Sequence, residues 1–500
     1  MYYVSTKMKQ ILLLLFLLIS SHGFGQKVYY SPKHVSYDQF ENIKVIGQNE
    51  KGIFTLQSNL PFELNKDRIG LRNRKYRVNY FDLQLNKLWD LNPEEKSIDM
   101  DLESIDFFNS NILLTHSISD KSDNSYALFA QYINDKSNSE AGIKSVGKFK
   151  VENVNAVDKA LVASSLNKNF IAIMLQEEKG DEINAHISIC DSSLNLVRQL
   201  TLIFPYKWKD FSIKDFKISN NADLVVLGYI GIRSKESKKQ RIYKYHLFTC
   251  LQDETTFVEQ NIHDENVYAA EAGLSIDEFN QQVVVAGLYA SNQNFHASGI
   301  FTAKLKLNNG EQLRVKQVQV SDEAQKELVG ERSFKSGSDI SNYPVRMLIP
   351  RNDGGLLLVT ESEYVYQYSS YDYFSQTFII RNEFYLDNIL LLSISNDNKI
   401  EWSKSIRKNQ YSMDDNAIYS SFIPMLTSGE IGFIYNQEIS RFTSINGYLI
   451  NSNGTSTNVN LVKPSERVLL FPGWGKQVSL NQLVIPVRMK NKLFLSRISF

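Results

Sequence analysis

The sequence predicts an all-β fold, a β-propeller of eight four-stranded blades, with seven blades as the alternative count. Three observations predict it. First, a short apolar strand followed by an alternating one recurs eight times, beginning near Gly52, Asn111, Phe170, Leu224, Val283, Leu356, Ile431 and Leu483. The mean spacing of about 61 residues is a blade-sized period. Second, Asn, Asp, Ser and Gly bound the apolar runs, the signature of strands and turns. Helical periodicity is scarce, and Asp322–Val329 is the one short stretch expected to be helical. Third, aromatic residues make up 12% of the chain, and such side chains pack well on a pleated surface.

The elements follow in order. Residues 1–25 read as a signal peptide, and 26–500 as a single propeller domain. Lys7 and Lys9 form a positive start, and Ile11 to Ile19 is an apolar run too short for a comfortable membrane anchor. Gly23 and Gly25 suit cleavage before Gln26. The chain is therefore expected to be exported, to the periplasm, the envelope or the exterior. No later apolar run reaches the length of a span, so the mature chain is expected to carry none.

Unit 2 shows the four-strand pattern: Ser104–Phe108, Asn111–His116, Tyr126–Tyr132 and Gly142–Phe149. Units 3, 4 and 6 repeat it, with second strands at Phe170–Leu175, Leu224–Ile230 and Leu356–Thr360. The last unit offers only Val468–Phe471, Leu483–Val487 and Leu493–Ile498. An open ring would leave a strand edge exposed. Lys27–Tyr30 lies just before unit 1 and is expected to complete the last unit.

Composition excludes some functions. Lys plus Arg and Asp plus Glu are both 55. Removing residues 1–25 takes away two lysines and no acid, leaving 53 against 55, a net charge of −2. No global basic field exists to attract nucleic acid. Cys190 and Cys250 end the third strands of adjacent units, where equivalent positions diverge outward. Two buried free thiols are expected, with a disulfide as the alternative.

The gap between third and fourth strands carries a local pattern: Asp82-LQLNKL-Trp89, Asp191-SSLNLV and Ser395-NDNKIE-Trp402. Asn and Asp suit a tight turn, with the Trp lying between blades. Ser395, Asp397 and Trp402 resemble a sialidase-type Asp box, but Lys399 stands where that motif has Gly. Asp82 to Trp89 resembles the docking turn of quinoprotein propellers, with shorter spacing and no Gly. In both families the turn is structural.

Trp402-Ser-Lys404-Ser-Ile406-Arg-Lys408-Asn-Gln410, then Tyr419-Ser-Ser421-Phe422, with Ile389-LLLSIS before them, resemble a group of exported β-propeller-like proteins of Gram-negative bacteria with no known activity. The resemblance is clearest over residues 354–436. It implies export and an all-β fold, and carries over no functional residue.

Function is sought where the repeat breaks. Links between units, and loops between second and third strands, share one face of a propeller, where function is usually grafted. Two neighbouring insertions lie there, Ser321 to Asn342 and Glu361 to Tyr385. The second contains Tyr364, Tyr366, Tyr368, Tyr371, Tyr373 and Phe374, the candidate binding residues. Two explanations compete: an extended hairpin packed over the face, or a recognition surface for a protein or glycan. Basic loops lie at Lys66 to Arg77 and Arg233 to Arg241, read as solvated or as a site for an acidic glycan. Asp99, Asp101 and Glu103 alternate as calcium ligands could, but without a Gly-containing loop solvated acids are expected.

The seven His are scattered, and no His-Glu-x-x-His, Cys-x-x-Cys, Gly-x-Ser-x-Gly or phosphate-binding loop is present. No catalytic residue, metal or cofactor is therefore assigned. A non-catalytic binding propeller is the first reading. A carbohydrate-active enzyme is the second, requiring paired carboxylates in the central channel. Channel positions are predicted at Lys44, Asp106, Lys159, Lys217, Glu271, Arg346 and Arg467. A structural component of an envelope complex is the third.

Overall fold

The computed structural model describes residues 27–35, 42–62, 75–93, 100–136, 142–158, 160–233, 241–262, 268–290, 297–307, 314–320, 326, 342–374, 376–440 and 442–500. Residues 1–25, read as a signal peptide, the helix expected at 322–329 apart from Lys326, and most of the 321–342 link therefore lie outside the described residues. So do most of both basic loops.

Among the described residues the strands form eight antiparallel sheets, each built on a path of four strands, in chain order in seven of them and completed by the N-terminal strand in the eighth. The eight-bladed count holds and the seven-bladed alternative falls. Each second strand lies between two neighbouring blades and is buried on both faces. Gly52–Ser58 is buried at every position. That is why these strands read as continuous apolar runs rather than alternating ones. Outer strands such as Leu196–Phe204 alternate, because one face meets water.

Among the described residues there is no single central core. Apolar clusters lie between successive blades, as where Ile187 and Phe204 of blade 3 meet Phe216 and Phe248 of blade 4. One cluster joins blades 8, 1 and 2, including Trp474, Ile53 and Ile112, and continues the ring across the chain ends.

The ring closes as the sequence predicts. Lys27–Tyr30 pairs antiparallel with the penultimate residues, Lys27 opposite Ser499 and Tyr30 opposite Ser496. It forms the outermost strand of blade 8, and Val28 and Tyr30 pack against the cluster between blades 7 and 8. The innermost strand of that blade is split into Val468–Leu470 and Lys476–Ser479 by a 3-10 turn, Pro472–Trp474.

The recurrent Asp and Ser turns are structural. Asp82 accepts from the backbone of Gln84 and Asn86 while Leu85 takes φ 65°. Asp191 does the same for Ser193 and Asn195, with Leu194 at φ 62°. The adjoining rings brace neighbouring blades. Trp89 Nε1 donates to Asp135 O of blade 2 at 2.6 Å, Tyr132 Oη to Ser192 O of blade 3 at 3.0 Å, and Trp402 Nε1 to Ser452 O of blade 7 at 3.0 Å. Cys190 and Cys250 are both buried free thiols.

Five inner strands carry a register shift. The residue left out of register is Ile46, Glu103, Lys214, Ala270 or Arg346 in blades 1, 2, 4, 5 and 6. A bulge re-aims a side chain, and three of these five positions are charged.

Candidate binding surface on blade 6

Blade 6 is where the repeat breaks. Its second and third strands, Leu356–Asp372 and Thr377–Ile394, run 17 and 18 residues, against 7 to 10 in the other blades. The segment read as an inserted loop is therefore a continuous hairpin extension. Its register runs unbroken from Glu363 opposite Leu386 to Asp372 opposite Thr377. A shift between Glu361 and Glu363 marks where the blade ends and the extension begins. The link toward blade 7 adds a short third strand, Tyr411–Met413, against Glu383 to Tyr385.

Strand alternation sorts the candidate residues. Tyr364, Tyr366 and Tyr368 share one face, opposite Tyr385, Glu383 and Arg381. Rings continue across the three strands on that face: Tyr364 to Tyr385 at 6.1 Å and Tyr385 to Tyr411 at 5.0 Å between centroids. Tyr366 and Tyr368 stack at 5.6 Å. Glu383 accepts from Tyr385 Oη at 3.0 Å and Tyr411 Oη at 3.2 Å, which fixes those rings. The other face holds Tyr371, whose ring meets Phe378 and Tyr373, each at 5.2 Å. Arg381 pairs with Asp414 at 2.6 Å across to the link.

Five of the six candidate residues, Tyr364, Tyr366, Tyr371, Tyr373 and Phe374, are exposed, and Tyr368 is half-buried. Tyr366 is 48% exposed and Tyr373 is 84% exposed. Val365, Phe378 and Ile380 are exposed beside them. The extension thus presents aromatic and aliphatic area that the propeller itself does not cover.

Its root is held by a network the sequence reading missed. Glu361 is fully buried, with Arg346 Nε at 2.9 Å, Ser421 Oγ at 2.6 Å and Lys408 Nζ at 2.8 Å. Lys408 Nζ also donates to Leu386 O at 2.6 Å and Gln410 Oε1 at 2.7 Å, and Gln410 Nε2 donates to Asn436 O at 2.6 Å. Arg346 reaches Glu363 at 2.8 Å. Burial pushes the Glu361 carboxyl up, but Lys408 and Arg346 outweigh it and hold the carboxyl below its usual range. Isolated charges could not be buried here at tolerable cost, whereas a satisfied network can. Lys408, Gln410 and Ser421 all fall within residues 354–436. In sequence they look like an ordinary polar link, and no periodicity flags them.

The other candidates separate. Asp99 lies outside the described residues, and Glu103 is not a solvated acid. The bulge turns it inward, where Ser117 at 2.6 Å, Tyr126 at 2.7 Å and the Ala160 amide at 3.1 Å donate to it. Among the described residues no group of three or more His, Cys, Asp or Glu is placed to hold a metal ion. Among the described residues no helix is long and apolar enough to cross a membrane. Of the predicted channel positions, Lys44, Asp106, Lys217 and Arg346 line axial cavities. Lys159 lies outside the described residues, Glu271 pairs with Lys214 at 3.1 Å, and Arg467 instead lies over the Phe442 ring at 5.2 Å.

No protein-family model matches the chain, and no curated protein matches it. Solved structures similar to it include the WD40 domain of SCAP from fission yeast, at 10% identity over 96% of each chain with a TM-score of 0.42. The polysaccharide lyase Uly1 aligns at 10% identity over 92% of this chain and 99% of its own, with a TM-score of 0.35. The Nup133 β-propeller domain of Vanderwaltozyma polyspora aligns at 8% identity over 80% and 100%, with a TM-score of 0.34.

Proposed function

We propose that the protein is an exported, non-catalytic binding propeller that captures a protein partner on the blade 6 hairpin. The observation that carries this is the exposed ring set of Tyr364, Tyr366, Tyr371, Tyr373 and Phe374 on a paired, braced extension. Tyr supplies large contact area at low entropic cost, and such rings are enriched at binding hot spots. A hairpin already paired along its length has little backbone freedom left to lose on binding. Protein is favoured over glycan because Val365, Phe378 and Ile380 add aliphatic and phenyl surface beside the tyrosines. Export rests on the apolar run at Ile11 to Ile19.

The test is cross-linking and co-purification from intact envelopes, comparing wild type with Tyr366→Ala and Tyr371→Ala. Both variants are expected to lose the partner while their thermal unfolding stays within about 0.5 kcal/mol of wild type. Recovery of the wild-type chain alone in the soluble fraction would sink the proposal. So would retention of the partner by both variants. Unfolding of both would assign the rings to packing instead.

A further inference from the structure

We propose that the axial channel binds a small polyanion carrying carboxylate or phosphate groups. Three cavities of about 430, 420 and 580 Å³ open along the axis. They overlap. The first two share Lys44, Gly473 and Gly475, and the last two share Lys214 and Arg346. Lys44 of blade 1 and Lys214 of blade 4 line one cavity together, which places it across the axis rather than within one blade.

The charge of the lining is one-sided. Lys44, Lys168, Lys214, Lys217 and Lys476 stand against Asp106 and Asp215 in the lining and Glu271, which pairs with Lys214, so five lysines face three carboxylates. Arg346 also lines the channel, but its guanidinium is held by Glu361 and Glu363. The whole chain has equal numbers of acids and bases, so composition does not explain this excess. The remaining wall includes Val45, Ile105 and Met347. Low-dielectric walls focus the field of such charges into the channel.

The lysines are held in place by neighbouring groups. Lys214 pairs with Glu271 at 3.1 Å and Lys217 with Asp215 at 3.2 Å. Lys476 Nζ donates to Ile46 O at 2.8 Å. Lys168 Nζ donates to Ser164 Oγ at 3.0 Å and lies 5.6 Å from the Phe108 centroid. An ammonium has three donors, so the contacts of Lys168, Lys214 and Lys217 leave capacity for a ligand oxyanion. Burial holds the Lys168 ammonium below its usual value, and a bound anion would reverse that.

The experiment is calorimetric titration of the mature chain at about 0.15 M salt, with citrate and inorganic tripolyphosphate as probes. Saturable binding of one or both is expected, and the stronger probe identifies the carboxylate or phosphate class. Lys44→Gln and Lys168→Gln are each expected to weaken binding about tenfold, while Lys168→Arg retains it. Lys150→Gln, at an exposed outer position, should leave it unchanged. If Lys168→Gln lowers the melting temperature, Lys476→Gln serves in its place. No saturable binding of either probe up to about 1 mM would overturn the proposal. An equal loss in Lys150→Gln would also overturn it, since that would report general surface charge.

Discussion

Lys408 Nζ lies 2.8 Å from Glu361 Oε1, with both side chains wholly out of solvent. This pair joins the link leaving blade 6 to the second strand of the same blade, at the point where the long hairpin departs. Arg346 on the inner strand completes it and also lines the channel. One buried network therefore touches both the hairpin and the axis.

Breaking that network from one side should be severe. Glu361→Gln leaves Lys408 and Arg346 buried with a weaker acceptor, and a loss of about 3–5 kcal/mol is expected in denaturant unfolding. Glu361→Leu with Lys408→Met removes both charges and should cost less than either single change. The folded Glu361 carboxyl sits below its ordinary value of 4.5, so its contribution is present above that value and disappears as pH falls through the lower folded one. The acid limb of wild-type stability should steepen below about pH 4.5 and flatten in Glu361→Gln.

His116 works with the opposite charge. It is fully buried, its Nε2 lies 3.1 Å from Gln131 Nε2, and burial lowers its value to about 4. The folded imidazole stays neutral while the unfolded one protonates below about 6.5. Stability should therefore fall as pH drops from 6.5 toward 4, by on the order of 3 kcal/mol at about 1.4 kcal/mol per pH unit. Unfolding curves of His116→Gln measured across that window should lose this slope. An unchanged slope would place the titration elsewhere.

The closing strand can be tested by shortening the chain. Without residues 26–30, blade 8 loses the four pairs from Lys27 to Tyr30 and exposes the edge of Lys492–Ser499. A lower melting temperature and concentration-dependent aggregation are expected, read by calorimetry and light scattering. Unchanged melting would mean that closure adds no stability.

Gly454 tests the brace between blades 6 and 7. It takes φ +82°, and a Cβ there would stand 2.8 Å from Trp402 Cγ. Gly454→Ala should cost about 1–3 kcal/mol from strain and displaced packing. Gly180→Ala, at φ +60° with nothing within 4 Å, supplies the backbone part alone. Equal losses at the two sites would deny the Trp402 contact any role.

Sequence alone was enough for the architecture. The apolar runs from Gly52 to Leu483 became eight blades, and the last unit's missing strand was met by Lys27–Tyr30. These features are legible because strand period, turn residues and burial are local consequences of residue type. The tyrosines at 364–374 were legible for the same reason, as an aromatic density no ordinary loop carries. Tertiary structure alone decided that their segment is a paired extension, that Lys408 is buried and that Glu103 turns inward. Those outcomes depend on bulges and on contacts between residues about 50 apart in the chain, such as Glu361 and Lys408. A charged residue in a link looks the same in sequence whether water or another blade surrounds it. The channel's lysines lie as far apart in the chain as Lys44 and Lys476, and only ring closure brought them onto one axis.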